Sequence, residues 1–314
     1  MRKVAAVSFL AIVAVILSRP ASADDSRAQQ ILNQARAAIG GETLLQTIQG
    51  LTFKGEYRRN LGSMEMAGDR EISFLLPDKY LSEDTVTMGG FGASMTLTRG
   101  LNGENAWGSS STGGGGGGGM FIMKGAAREG LAGKQPTPEE ANAMYLRINR
   151  ADFTRYALAI LLAAPASVAV EYRYAGDSDV EGAAAEVLDV TGPDKLAFRL
   201  FFDKKTHLPL LLSYRGQKPR IVTRTISSSG EKKTDPEDAI KKAKEQAEKD
   251  SATNVPAKTD EVDFFIRLTD YKNVGGLLLP QKLTFLTEDQ ITEEFKISKY
   301  ELNPKFKSSK FQKN

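Results

Sequence analysis

Residues able to do acid–base, nucleophilic or metal chemistry are sparse in this chain of 314 residues and do not converge. There is one histidine, His207, and there are no cysteines, which excludes thiol nucleophiles, thiolate metal sites and disulfides. His207 lies in Asp203-Lys204-Lys205-Thr206-His207-Leu208-Pro209, a turn pattern between two apolar runs, and without a histidine or cysteine partner it reads as a turn residue. Carboxylates are plentiful, but they alternate with apolar residues or sit in turns, as Glu288-Asp289 and Glu293-Glu294 do. Adjacent strand residues point to opposite faces, so no acid–base pair emerges. The seven glycines at 113–119 satisfy Gly-x-Gly-x-x-Gly trivially. A phosphate loop also needs a buried strand before it and a Gly-Lys-Ser/Thr ending, whereas Lys124 here follows Met123 and precedes Gly125. No basic stripe with interleaved aromatics marks a nucleic-acid surface. The sequence therefore predicts no catalytic residue, no metal and no cofactor.

What the sequence has instead is an excess of large apolar side chains on one face of every strand. Alternation with period two runs through Leu51, Phe53 and Tyr57, through Ile72, Phe74 and Leu76, and through Met88, Met95 and Leu97. It resumes in Val168, Val170, Tyr172 and Tyr174, in Leu196, Phe198, Leu200 and Phe202, and in Leu208, Leu210, Leu212 and Tyr214. The last sets are Phe264, Ile266 and Leu268, then Leu283 and Phe285, then Phe295 and Ile297. Met64, Met66, Met88 and Met95 add adaptable contacts. Periodicity does not distinguish a filled sheet-on-helix core from a cavity; a strongly curved sheet could enclose an acyl chain. The residues expected to line such a pocket are Phe53, Phe74, Leu76, Met88, Leu97, Val170, Tyr172, Phe198, Leu200, Leu210, Phe264, Ile266 and Leu283.

These faces must be positioned by about ten strands joined mostly by short turns, with helices only before and in the middle. That is an antiparallel α+β plan, not an alternating βαβ one. A helix over 26–39 carries Ile31, Leu32, Ala35 and Ile39 on one stripe, with Gly40-Gly41 to stop it. Asn102-Gly103 signals a type I′ hairpin. Thr137-Pro138-Glu139-Glu140 is a helix start with a capping box. The helical pattern that follows runs to Ala164, and the polar stretch 149–152 offers a place to break it in two. Two interruptions stand out. The region 109–125, around the glycine tract, reads as a flexible loop or flap. Residues 230–258 carry seven lysines and seven acids and almost no apolar stripe, which marks a solvated insertion.

Residues 1–23 have the form of a cleavable export signal, with Arg2-Lys3, an apolar run over 4–17, Pro20 and the small triplet Ala21-Ser22-Ala23. The run is shorter than the ~20 residues of a membrane span. The 42 basic and 39 acidic residues become 39 of each once Arg2, Lys3 and Arg19 are removed, so no electrostatic partner is implied. The expectation is one domain over 24–314, periplasmic and not integral to the membrane.

Five local features resemble the LolA-like family of periplasmic lipoprotein and lipid carriers. They are the helix after the signal; the corner Leu76-Pro77-Asp78-Lys79-Tyr80; the hairpin Leu101-Asn102-Gly103-Glu104-Asn105-Ala106-Trp107; the hairpin from Phe202 to Pro209; and the closing segment from Tyr300-Glu301-Leu302-Asn303-Pro304 to Phe311. The resemblance implies an incompletely closed antiparallel barrel curled around lid helices, with a non-catalytic, apolar concave side that receives acyl chains of lipid or lipoprotein. Residues 138–164 and the glycine tract would form the lid. The chain departs from the family in carrying Leu76 where the lipoprotein carrier has a lid-latching arginine, and in its two long interruptions. A second reading implied by the resemblance is an envelope sensor module that engages a protein partner through the charged insertion or a sheet edge.

Overall fold

The computed structural model describes residues 23–61, 64–87, 94–113, 137–217 and 261–313. The export signal, Met88, most of the glycine tract and the charged insertion lie outside the described residues.

Two helices open the chain, α1 (Ala23–Ile39) and α2 (Glu42–Gln46), followed by strands β1 (Gly50–Leu61), β2 (Met64–Leu75), β3 (Lys79–Thr87), β4 (Ser94–Asn102) and β5 (Asn105–Gly113). Helix α3 (Pro138–Leu161) precedes β6 (Glu171–Val180), β7 (Ala183–Thr191), β8 (Ala197–Asp203) and β9 (Pro209–Gln217). The chain closes with β10 (Glu261–Thr269), β11 (Lys272–Val274), β12 (Leu277–Leu279), β13 (Lys282–Thr287) and β14 (Gln290–Leu302). Twelve strands form one antiparallel sheet in the order β5-β4-β3-β2-β1-β14-β13-β10-β9-β8-β7-β6, and β11 pairs with β12 in a separate hairpin. The sheet ends at β5 and β6, which do not pair with each other, so the barrel is open along that seam.

The strand count exceeds the expected ten for physical reasons visible in the missed strands. β7 begins Ala183-Ala184-Ala185-Glu186, residues of low strand propensity, and buries Ala185, Glu186, Val187 and Leu188 in succession, which erases the alternation. β3 alternates, but its inward positions after Tyr80 are Ser82 and Asp84, both buried and polar. Residues 109–113, read as loop, continue β5 opposite β4.

Local chemistry otherwise follows the sequence closely. α1 buries Ala28, Ile31, Leu32, Ala35 and Ile39, one stripe. The Thr137 hydroxyl accepts from Glu140 N (3.2 Å), and the Glu140 carboxylate accepts from Thr137 N (2.9 Å), the reciprocal capping box. α3 is one helix of 24 residues and does not break at 149–152, because each polar residue there faces a partner. Asn149 donates to Gly100 O (2.7 Å) and Trp107 O (3.1 Å), Arg150 pairs with Glu104, and Asp152 accepts from Arg99 (2.7 Å). The β4–β5 loop is Gly103-Glu104, one residue later than the type I′ reading. Only Gly103 has positive φ, 61°, which fits a type II′ turn with glycine first.

The family-like motifs turn out to be fasteners. Asn303 Oδ1 accepts from Gln49 N (2.7 Å) and Gly50 N (3.2 Å) while its amide donates to Thr47 O (2.9 Å), tying the last strand to the first. Phe306 and Phe311 then pack with Leu75, Leu81 and Trp107 in a small cluster apart from the main core. Asp203 Oδ1 accepts from the amides of Lys205 (2.9 Å) and Thr206 (2.6 Å), and His207 takes φ 58° in that turn.

Candidate functional site: the concave face and its helical cover

The twist of the long sheet turns one face inward, and that face is an apolar floor. Register places Phe53 opposite Ile72 and Tyr300, Phe74 opposite Tyr80, Leu200 opposite Leu188 and Leu212, and Leu283 opposite Leu268 and Phe295. Aromatic rings continue the floor into the cover. Phe153 of α3 lies 5.5 Å from Phe74 and 5.9 Å from Tyr80, and Tyr156 lies 5.9 Å edge-on from Phe53. Gly108 of β5 permits this approach, since a Cβ there would sit 2.3 Å from the Tyr145 ring.

The expected lining residues divide into two groups. Phe53, Phe74, Phe198, Leu200, Ile266 and Leu283 are buried in the main core. Leu76, Leu97, Val170, Tyr172, Leu210 and Phe264 are half-buried. Leu210 leaves the alternating set because the β8–β9 ladder bulges: Pro209 stands opposite Phe202 and Leu211 opposite Phe201, with Leu210 between them. The floor is packed against helices. One concavity, of about 360 Å³, is lined by Arg58, Asn60, Glu65, Ile291 and Glu294. Another, about 160 Å³, lies where Leu76, Leu45 and Ile48 meet Arg36, Leu161 and Ala163. Ligand pockets usually span about 300–1,000 Å³; the first has that size but a mainly polar rim, and the second is apolar but small.

Sequence reasoning missed a belt of charge that crosses this floor. Arg70, 3% exposed in its side chain, donates from Nε and Nη2 to Asp84 at 2.7 and 2.8 Å and from Nη1 to Glu293. Arg59 Nε donates to the other Glu293 oxygen at 2.6 Å. The Arg70 guanidinium also lies over the Tyr57 ring, 4.7 Å from its centroid. Burial alone would raise the Asp84 and Glu293 carboxyls, yet both are held below their ordinary values, Asp84 by Arg70 first and then by Arg99 and Arg59, Glu293 by Arg70 first and then by Arg59. Burial and the Asp84 charge push the Tyr57 hydroxyl up to about 12, and that hydroxyl has no hydrogen-bond partner among the described residues. One signal did mark the belt. Arg70 shares strand parity with Ile72 and Phe74, Asp84 with Tyr80, Ser82 and Val86, Glu293 with Phe295 and Ile297, and Arg99 with Met95, Leu97 and Leu101: one charge on each of four mainly apolar faces.

The cover is fastened by side chains. Arg36 of α1 donates from Nε (3.1 Å) and Nη2 (3.0 Å) to Leu162 O, the C-cap carbonyl of α3, which ties the two helices together. At the other end, Asn142 Oδ1 accepts from Ala106 N (2.8 Å).

The site is thus an open antiparallel cup with an apolar floor, a buried charge belt and a helix lying in it. No protein-family model matches the chain, and no characterised protein matches its sequence. Among solved structures, it is similar to a LolA-superfamily protein from Nitrosomonas europaea, with 11% identity, a TM-score of 0.44 and coverage of 91% of this chain and 97% of that one. A DUF1329 family protein from Desulfovibrio piger is similar with 9% identity, a TM-score of 0.42 and coverage of 91% and 97%. The MucA/MucB complex of Pseudomonas aeruginosa gives 14% identity and a TM-score of 0.22, with 86% and 92% covered. Scores at this level assign no function.

Proposed function

We propose that the chain is a periplasmic, non-catalytic carrier that takes an acyl chain of a lipid or lipoprotein onto the concave floor when α3 swings away. The observation that carries this reading is the way the floor is covered. Its roof is made of helices and not of a further layer of sheet: α1 lies against β6, and α3 is attached to β4 and β5 by side-chain contacts. Opening such a cover breaks no strand ladder. The floor that opening exposes can be reburied by ligand methylenes at about 0.8 kcal/mol each. The export pattern in 1–23 and the zero formal charge of 24–314 fit a protein that works between membranes without electrostatic attachment to either.

Native mass spectrometry of protein released gently from the periplasm tests the proposal. The expected spectrum contains lipid-bound species beside the free chain. A spectrum of free chain only, combined with no uptake of an added fluorescent fatty acid, would overturn it. The edges of β5 and β6, which have no outer partner strand among the described residues, favour a second reading, an envelope module that accepts a partner strand. A lipid-free protein in a stable complex through either edge would support that alternative.

A further inference from the structure

The fastening of α3 over β4 is built from the groups that recognise an anionic headgroup. Arg99 faces inward from β4, opposite Ser82 and Gly108, and its Nη1 donates to Asp152 Oδ2 at 2.7 Å. Arg155, one turn further along α3, donates to Asp152 Oδ1 at 3.2 Å and stacks on Tyr214 at 3.8 Å from the ring centroid. One carboxylate therefore serves two guanidinium groups, and the Arg155 Nε is buried with no hydrogen-bond partner among the described residues. The surplus is local. Deeper in the cup, Arg59 and Arg70 are balanced by Asp84 and Glu293, so the four arginines and three carboxylates of the belt leave one positive charge, at the Arg99–Arg155 end. Arg99 is also the most exposed of the four, its side chain 36% exposed against 24% for Arg59, 15% for Arg155 and 3% for Arg70.

Resting on the carrier reading above, we infer that Arg99 and Arg155 form the headgroup site for an amphiphile bearing a phosphate or carboxylate, and that Asp152 occupies this site as an internal anion when no ligand is present. A phosphate or carboxylate offers the paired oxygens that the guanidinium fork binds best. Its arrival at Arg99 releases Asp152, and with it the ion pair holding α3 to β4. The same exchange that reads the headgroup thereby frees the helix lying on the acyl floor. A neutral amphiphile of equal chain length gains the floor but cannot replace Asp152, so it must open the cover unaided.

Equilibrium binding of three probes to the full mature chain tests the inference: lysophosphatidic acid, the monoacylglycerol with the same acyl chain, and inorganic phosphate alone. The expected result is about tenfold tighter binding of the anionic lipid than of the neutral one, the worth of a charge-assisted bond. Free phosphate should bind at least a hundredfold more weakly than the anionic lipid, because it has no chain. In Arg99→Gln the lipid preference should vanish while monoacylglycerol affinity is retained or improved. Arg99→Lys, which keeps the charge and loses the fork, should fall between, and serves as the readout if the glutamine variant does not fold. Equal affinity for the two lipids, or an undiminished preference in Arg99→Gln and Arg99→Lys, would overturn the headgroup site while leaving the carrier reading intact. Free phosphate binding as tightly as the anionic lipid would show an ion site with no link to the cup. If neither lipid binds, the carrier reading itself fails.

Discussion

Arg70→Met should destabilise the protein by about 3–5 kcal/mol, the usual cost of leaving buried charges without their partner, and lower the melting temperature by roughly 10 °C. Methionine fills much of the same space, so the loss comes from Asp84 and Glu293, whose side chains are each 6% exposed. Arg59 continues to serve Glu293, but Asp84 loses both of its short hydrogen bonds. The triple change Arg70→Met, Asp84→Leu and Glu293→Leu should recover most of the loss, because it removes the three buried ions together and leaves only Arg59, whose side chain is 24% exposed and reaches water. The pH dependence gives an independent check. In the native protein both carboxyls are held below their ordinary values of 3.8 and 4.5. Their contribution is therefore fully present above about pH 5 and is lost as the pH falls through the depressed values. Without Arg70, burial outweighs the remaining charges at Asp84 and raises its carboxyl, while Arg59 still holds Glu293, so the variant should gain stability between pH 7 and 5. Urea unfolding at the two pH values measures the sign directly. An Arg70→Met protein as stable as the parent, with an unchanged pH slope, would show that the belt is not the electrostatic unit described.

Phe153→Ala should open α3 without unfolding the cup. Phe153 is fully buried between Phe74 and Tyr80, and removing such a ring costs about 3–5 kcal/mol. If α3 is a separable cover, the whole of that cost falls on its local opening, and amide exchange along α3 should accelerate on the order of 100-fold or more. Exchange in β1 and in β2 and β14, which flank it on either side in the sheet, should stay near its parent rate. Hydrogen exchange followed by mass spectrometry separates the cases. Acceleration spread evenly over sheet and helix would mean that α3 opens only when everything does, and the lid would be an ordinary core element.

Much of the fold was legible because its local rules agree with one another. The α1 stripe, the capping box at Thr137, the His207 turn and the alternation in β1, β8 and β10 each follow from residue type and spacing. Strand number and helix continuity were less legible, and the same physics explains both. β3 and β7 place polar or small residues where apolar ones announce a strand, and Asn149, Arg150 and Asp152 look like a helix break until Gly100, Glu104 and Arg99 are brought opposite them by the chain. The apolar side of the candidate site could be read from parity alone. Its charged side could not be assembled, since Arg59, Arg70, Asp84, Arg99, Asp152, Arg155 and Glu293 come from five strands and a helix, and only long-range pairing makes them neighbours. The filling of the cup was equally beyond periodicity, which gives the same pattern for a floor under a helix and a floor under a ligand.

Pinning α3 tests the carrier account most directly. The chain contains no cysteine, so Glu104→Cys in the β4–β5 turn and Arg150→Cys on α3, which replace an ion-paired couple, introduce the only two thiols. They can be joined by a short bifunctional maleimide with a reducible centre. The joined protein should fail to take up a fluorescent fatty acid, and reduction of the linker should restore uptake to the level of the unjoined variant. Uptake by the joined protein equal to that of the unjoined one would contradict the account, because the acyl chain would then be binding somewhere other than the floor beneath α3.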